Sequence, residues 1–384
     1  MKKYFLAVAS FFIYSHISLG QVYPGQMDST FVPVRSHHYD PELTFDFCVN
    51  EPAWSNQAGI HSAFGSTDRL YFRKEVPVNH DNDLSSSYST TVWRGERANA
   101  QILVWSSEAL EQVRVSTQDL RSAEGNIIPK DRITFELVRY VLSNYPYAEK
   151  KAICGESPYK SGFLMPDRFE TLDRFDLPSQ TTRPVWMMVD VPRGTVPGTY
   201  KGQVEVRAKG KAPQLLNLEI VVQNQLLPYP KDWKYRLDLW QNPWAVAWYN
   251  HVEPWSPEHK MLLKQHLKHY ADAGGTYITT YGVHSPWSDN SYMIEGGMIE
   301  WIKKADGTWA FDYKIFDEYV ELAMECGIDE AITLYTPIPW GFRHRYKDEA
   351  TGDYSYINWA PSSEEFKKMW NIFLTDFKFH LEAK

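Results

Sequence analysis

Three times after residue 231 the sequence runs from a short β-type stretch, through an aromatic loop, into an amphipathic helix; this repeated order constrains the fold most. The β-type stretches with their loops are YRLDLWQNPWAVAWY, YITTYGVHSPW and AITLYTPIPW. The helices are SPEHKMLLKQHLKHYADAGG, DYKIFDEYVELAMECG and SSEEFKKMWNIFLTDFKFHLEAK. The first has Ser256 as N-cap, Pro257 at its first position and Gly274 as its stop. The third opens on a capping box, Ser362-x-x-Glu365, and carries Phe373, Phe377 and Leu381 four apart on one side. Between the second strand and its helix, MIEWIKKADGTWAFDY reads as a hairpin turning at Asp306–Gly307. A helix after each strand returns the chain to the edge where it started, so the strands must lie parallel.

A doubly wound sheet and a (β/α)8 barrel both begin this way. No G-x-G-x-x-G follows any strand, which removes the phosphate-binding version of the first. All three aromatic loops lie at carboxyl ends of strands, where a barrel builds its site. Three strands cannot close a barrel of eight, so the expected architecture is the first three β/α units of a TIM (β/α)8 barrel, with the chain stopping near the fourth strand. The preceding half has another texture. ANAQILVWSS, RITFELVRYVL, RPVWMMVDVP, GTYKGQVEVRA and QLLNLEIVVQ are short β-type runs separated by turn residues, as in an antiparallel β-sandwich. The expected division is a signal peptide over 1–20, a sandwich over 21–230 and a partial barrel over 231–384.

The signal peptide is read from Lys2 and Lys3, an apolar run from Tyr4 to Tyr14 and a small-residue exit at Ser18–Gly20. Export, periplasmic or extracellular, is therefore expected, with cleavage near Gly20–Gln21. No other apolar run is long enough to span a bilayer. Cys48, Cys154 and Cys326 allow at most one internal disulfide and have no zinc-type spacing. A net charge of -8 and no basic cluster exclude a typical nucleic-acid partner.

Aromatics make up 15% of a chain whose mean hydropathy is -0.46. Most of its 15 Trp are expected in the core, but some can serve as platforms for a ligand with an apolar face and polar edges, such as a sugar. The candidate contacts are Trp240, Gln241, Asn242 and Trp244 after the first strand. Tyr281, His284 and Trp287 follow the second, and Tyr335, Trp340 and Arg343 the third. Asp238 shares a face with Trp240 and is expected to reach the barrel interior. His266 and His269 lie three apart on one helix, but no carboxylate joins them, and they read as surface histidines. No metal or cofactor is expected.

The stretches WRGERANAQILVWSS, PVWMMVDVPRGTVPGTYKGQVEV, LDLWQNPWAVAWY and TPIPWGFRHRY resemble glycoside hydrolase family 123 from about Trp93 onward. The resemblance implies an exported bacterial enzyme with a sandwich ahead of a TIM barrel, releasing β-linked N-acetylgalactosamine from a glycan. It implies a substrate-assisted retaining mechanism, an exception to the usual two-carboxylate scheme. The sugar's acetamido oxygen attacks the anomeric carbon, an Asp steadies it and an adjacent Glu protonates the leaving oxygen. In such a family that pair follows a helix like the last one here, so it is expected beyond Lys384, leaving this chain an inactive fragment. Asp329–Glu330 precedes its strand and is expected on the opposite face. Asp317–Glu318 and Asp348–Glu349 read as surface charge. The competing expectation is a carbohydrate-binding or cell-surface sandwich protein without chemistry.

Overall fold

A computed structural model of the chain describes residues 51–77, 84–143, 163–286 and 296–384. The expected signal segment, Cys48, Cys154 and Trp287 lie outside these residues. The chain divides into two compact units, Met1–Leu227 and Pro228–Lys384.

The first unit is built from two sheets. One has the order β1 (His61–Gly65), β3 (Arg97–Ser106), β10 (Thr181–Asp190), β7 (Ile133–Ser143), β8 (Phe163–Thr171), all antiparallel. The other has the order β2 (Ser87–Arg94), β12 (Gln214–Leu226), β11 (Gly198–Arg207), β4 (Leu110–Thr117), β9 (Phe175–Leu177). Two short strands, β5 (Leu120–Arg121) and β6 (Ile127–Ile128), attach beside β11. Period-two patterning makes the sandwich. Ala98, Ala100, Ile102 and Val104 of β3 and Val185, Met187 and Val189 of β10 share one core with Leu216, Leu218, Ile220 and Val222 of β12. One ladder departs from the antiparallel expectation: β2 runs parallel to β12. The two strands lie far apart in sequence, so no hairpin fixes their relative direction.

The first pairing within the second unit is at Leu237, which makes a single parallel bridge to Gly275. The expected first strand is therefore one bridge and no ladder. Helix α1 (Pro243–Asn250) follows, where the sequence reads as a loop. Asn242 caps it by accepting from the Ala245 N–H at 3.3 Å, and Pro243 occupies the first turn. Helix α2 (Pro257–Asp272) is capped by Ser256 as its sequence requires, and Gly274 beyond it holds φ +88°. A Cβ at Gly274 would collide with the Trp233 ring. Strand β13 (Tyr277–Tyr281) leads to a hairpin, β14 (Glu300–Lys303) and β15 (Trp309–Asp312), whose turn puts Gly307 at φ +83°. Helix α3 (Lys314–Glu325) precedes β16 (Ala331–Tyr335), which pairs parallel with β13 over five residues. A second hairpin, β17 (Arg343–Asp348) and β18 (Tyr354–Asn358), is not among the expected elements. It joins the first in a four-stranded sheet, β15–β14–β17–β18, with β14 and β17 parallel. Helix α4 (Glu364–Ala383) starts one residue later than the expected box, with Ser363 accepting from Phe366 N–H at 3.1 Å. The described residues thus form a mixed α/β unit; they contain no closed barrel.

Its core is aromatic. Trp301, Tyr313, Phe316, Tyr319, Trp359, Trp370, Phe373 and Phe377 are buried together. Among the described tryptophans only Trp54, Trp244, Trp301, Trp359 and Trp370 are buried, fewer than expected, because the others lie on loops, helix faces and strand faces that keep part of the indole in solvent. Within this aromatic core His344 is 2% exposed. Its Nδ1 donates to the Phe342 carbonyl oxygen at 3.1 Å and its Nε2 accepts from the Trp370 indole N–H at 3.2 Å, which defines a neutral ring. Burial lowers its pKa from 6.5 to about 4. The unfolded imidazole protonates first, near pH 6.5, so the cost to folding is absent above that pH, grows between 6.5 and about 4 and levels off below. The full effect is on the order of 3 kcal/mol. The urea midpoint of this unit is expected to fall between pH 7 and 4.5, and less steeply in His344→Gln, whose amide oxygen still accepts from Trp370. An identical slope in both proteins would assign the acid sensitivity to other groups.

Candidate functional site

The segment 237–242 is held beside β13 largely by side chains. The Tyr270 hydroxyl lies 2.7 Å from the Leu237 carbonyl oxygen and 2.9 Å from that of Tyr277, and accepts from Leu239 N–H at 3.4 Å. Gln241 Oε1 accepts from Thr279 N–H at 2.9 Å, while the Tyr281 hydroxyl donates to the Gln241 carbonyl oxygen at 3.1 Å. These bonds replace a strand ladder, and they fix the backbone on which Trp240 stands.

Trp240 is 62% exposed, edge-on to Tyr335 at the end of β16, with ring centroids 4.8 Å apart. Beside them Asp238 Oδ2 accepts from Thr333 Oγ1 at 3.4 Å. Burial, with Asp238 nearby, raises the Tyr335 pKa, so its hydroxyl stays protonated. Trp340 is 59% exposed, and its backbone N–H donates to the Pro286 carbonyl oxygen at 2.9 Å, tying the loop after β16 to the loop after β13. His284 is half-buried on that second loop, and its buried Nδ1 has no hydrogen-bond partner. Burial, Arg345 and Arg343 lower its pKa to about 4, so at neutral pH it is an uncharged donor and acceptor. The Arg343 guanidinium lies 3.7 Å from the centroid of the Tyr356 ring.

Trp240, Tyr335, His284, Trp340 and Arg343 thus lie at or just beyond the carboxyl ends of the parallel elements. Trp244 and Tyr281 sit elsewhere: both are buried and stack on each other at 5.1 Å in the core, out of reach of a ligand. Asn242 spends its side-chain oxygen on the α1 cap. Gln241 bridges to Thr279 and keeps a buried Nε2 without a partner. The sequence reading missed Arg345, Tyr354 and Tyr356. Alternation in RHRYKD and YSYIN around the Thr351–Gly352 turn is the signal that reveals them.

Carboxylates are placed as follows. Glu330 lies at the amino end of β16, accepting from Thr276 Oγ1 at 2.8 Å and from the Tyr277 hydroxyl at 3.4 Å. Asp317 is more than surface charge: it is half-buried, 2.7 Å from His380 Nε2 and 3.2 Å from Lys384 Nζ, fastening α4 to α3. Glu318 pairs with Lys260, Asp348 with Lys303 and Glu349 with Lys304. Among the described residues no three His, Cys, Asp or Glu side chains cluster as a metal site would need, and no helix is long and apolar enough to cross a membrane. His266 and His269 are exposed on α2.

Residues 64–208 match the model of the glycoside hydrolase 123 N-terminal domain, starting ahead of the resemblance seen at Trp93. Residues 240–384 match that of the glycoside hydrolase 123 catalytic domain. Among solved structures the chain is similar to a family 123 glycoside hydrolase from Clostridium perfringens, described in connection with glycolipid glycan hydrolysis. The identity is 25% and the TM-score 0.74, over 85% of this chain and 56% of that one. The chain therefore spans little more than half the length of that relative. A Bacteroides ovatus GH5 xyloglucanase (8% identity, TM-score 0.19, 64% of this chain and 43% of that one) and a PapD-like domain of human CEP192 (12%, 0.23, 48% and 99%) are too dissimilar to carry weight. No curated protein matches the chain.

Proposed function

We propose, for a chain that belongs to glycoside hydrolase family 123, that it supplies the sandwich and the sugar-gripping part of an exported, retaining, exo-acting β-N-acetylgalactosaminidase-like enzyme. The observation that carries this reading is the grouping of Trp240, Tyr335, Trp340 and His284 at strand carboxyl ends within the catalytic-domain match. Exposed indoles offer flat faces to the C–H side of a sugar ring, and a neutral imidazole can hydrogen-bond a hydroxyl or an acetamide. In the proposed reaction the bound sugar's acetamido oxygen forms a bond to the anomeric carbon as the glycosidic C–O bond breaks. A Glu gives its proton to the departing oxygen, and an Asp holds the acetamido group.

That Asp and Glu would lie outside residues 231–384, in the remainder of a TIM barrel that these residues begin. The pair Asp329–Glu330 is left out because Glu330 is engaged at the amino end of its strand. Export rests on the N-terminal sequence and is read directly from the mass of the secreted chain, which should start near Gln21. The absence of an adjacent Asp–Glu pair at the described strand carboxyl ends favours one second reading, a carbohydrate-binding protein without chemistry.

One experiment addresses both readings: titration of the chain with N-acetylgalactosamine, beside an assay on a chromogenic β-N-acetylgalactosaminide. Saturable binding is expected, weakened by about 1–3 kcal/mol in Trp240→Ala and in Trp340→Ala, with no turnover. Binding unchanged in both folded variants would return the two indoles to the framework. Turnover abolished by Glu330→Gln would move the chemistry to the other end of the strands.

A further inference from the structure

The four-stranded sheet made by the two hairpins has two unlike faces. Trp301, Trp309, Phe311, His344 and Tyr346 point into the aromatic core. Side chains alternate along a strand, so Glu300, Ile302, Asp312, Arg345 and Lys347 take the opposite face. That face is one wall of a cleft of about 540 Å³, within the usual size range of ligand pockets. The other wall is Trp255 with the first turns of α2 and α3, which bring in Lys260, Lys314 and Glu318.

Each of the cleft's acids is already engaged. Glu318 pairs with Lys260 at 3.2 Å, and Glu300 accepts from the Tyr354 hydroxyl at 2.9 Å. Asp312 accepts from the Lys314 backbone N–H at 2.9 Å. The cations are not so well served. Arg345 reaches Glu300 only at 3.7 Å, and its buried Nε has no hydrogen-bond partner. Lys314 and Lys347 make no ion pair among the described residues. The Arg345 guanidinium lies 4.2 Å from the Tyr354 ring centroid, as Arg343 lies over Tyr356, and stacking of this kind holds a planar fork in one orientation. A pre-oriented fork with two lysines nearby suits a planar or tetrahedral oxyanion. Trp255, Ile302 and Ile315 line the cleft with apolar surface, against which a sugar ring can rest.

We propose that this cleft is a second glycan-binding site, selective for a sugar bearing a carboxylate or a sulfate, with Arg345 and Lys347 holding the anionic group. It rests on the glycosidase reading only in taking the ligand to be a saccharide; it is read by binding, so a failure of catalysis leaves it standing.

The test is calorimetric titration of the chain with three oligosaccharides of equal length. One alternates glucuronate with N-acetylhexosamine, the second is its sulfated form, and the third is a neutral N-acetylhexosamine oligomer. At least one acidic arm is expected to bind about tenfold tighter than the neutral one, with an advantage that shrinks as salt is raised. Preference for the first arm identifies the carboxylate as the ligand; preference confined to the second identifies sulfate. Arg345→Gln and, on the exposed rim, Lys347→Gln are each expected to remove most of that advantage, whereas Lys378→Gln on α4 leaves it intact. Equal affinity for all three oligosaccharides, no binding of any, or an advantage surviving both cleft variants would overturn the proposal. Lys347→Gln decides the matter if Arg345→Gln disturbs the fold.

Discussion

Truncating Trp301 to alanine is expected to unfold residues 228–384 while leaving the sandwich folded. The indole is 2% exposed and stacks on Phe373 with ring centroids 4.8 Å apart. Phe311 and Trp370 meet it edge-on at 5.1 and 5.6 Å. Its N–H donates to the Gly282 carbonyl oxygen at 2.8 Å, which joins the inserted sheet to the end of β13. A cavity of that size costs about 3–5 kcal/mol, and the carbonyl left without a donor adds roughly 1–3 kcal/mol. Domains of this kind are stable by only about 5–15 kcal/mol. Thermal unfolding followed by near-UV circular dichroism should show the aromatic signal of this unit lost and a sandwich transition retained. A variant with an unchanged aromatic signal would mean that the cluster is not the keystone of this unit.

The second large effect is expected in the sandwich. Glu170 of β8 accepts from Arg139 of β7, and both side chains are buried. Removing the carboxylate in Glu170→Ala leaves the guanidinium charge buried without it, which costs about 3–5 kcal/mol. The double change Arg139→Met with Glu170→Leu is expected to cost less than the single one, because no buried charge remains. Urea denaturation of all three proteins measures this. A single variant no less stable than the double would show that the Arg139 charge is satisfied by its other neighbours.

What could be read in advance was whatever short-range chemistry enforces. Ser256, Pro257 and Gly274 mark α2 because a helix end must satisfy its own N–H and C=O groups nearby. Asp306–Gly307 marks the first hairpin because a tight reversal needs a residue tolerant of positive φ. Helix α1 was hidden because its start signals, Asn242 and Pro243, precede a body of aromatics that reads as a binding loop. The second hairpin was hidden because its outward residues are charged, so RHRYKD reads as polar linker until Tyr346 and His344 are seen to face the core.

The sequence by itself determined the order of the long helices α2, α3 and α4 with β13 and β16 between them, the two textures with their change near residue 230, and the family. Each of these is written in local periodicity, caps and short motifs. Only the tertiary structure decided which aromatics are exposed. Trp240 and Trp244 are four residues apart in one motif, yet one is exposed and the other is packed under Tyr281, because one turn of α1 carries Trp244 into the core. Tertiary structure alone also brought Arg345 over Tyr354 and opposite Lys314. That meeting depends on β14 pairing with β17, a contact between two loop insertions more than 40 residues apart, which no local pattern encodes.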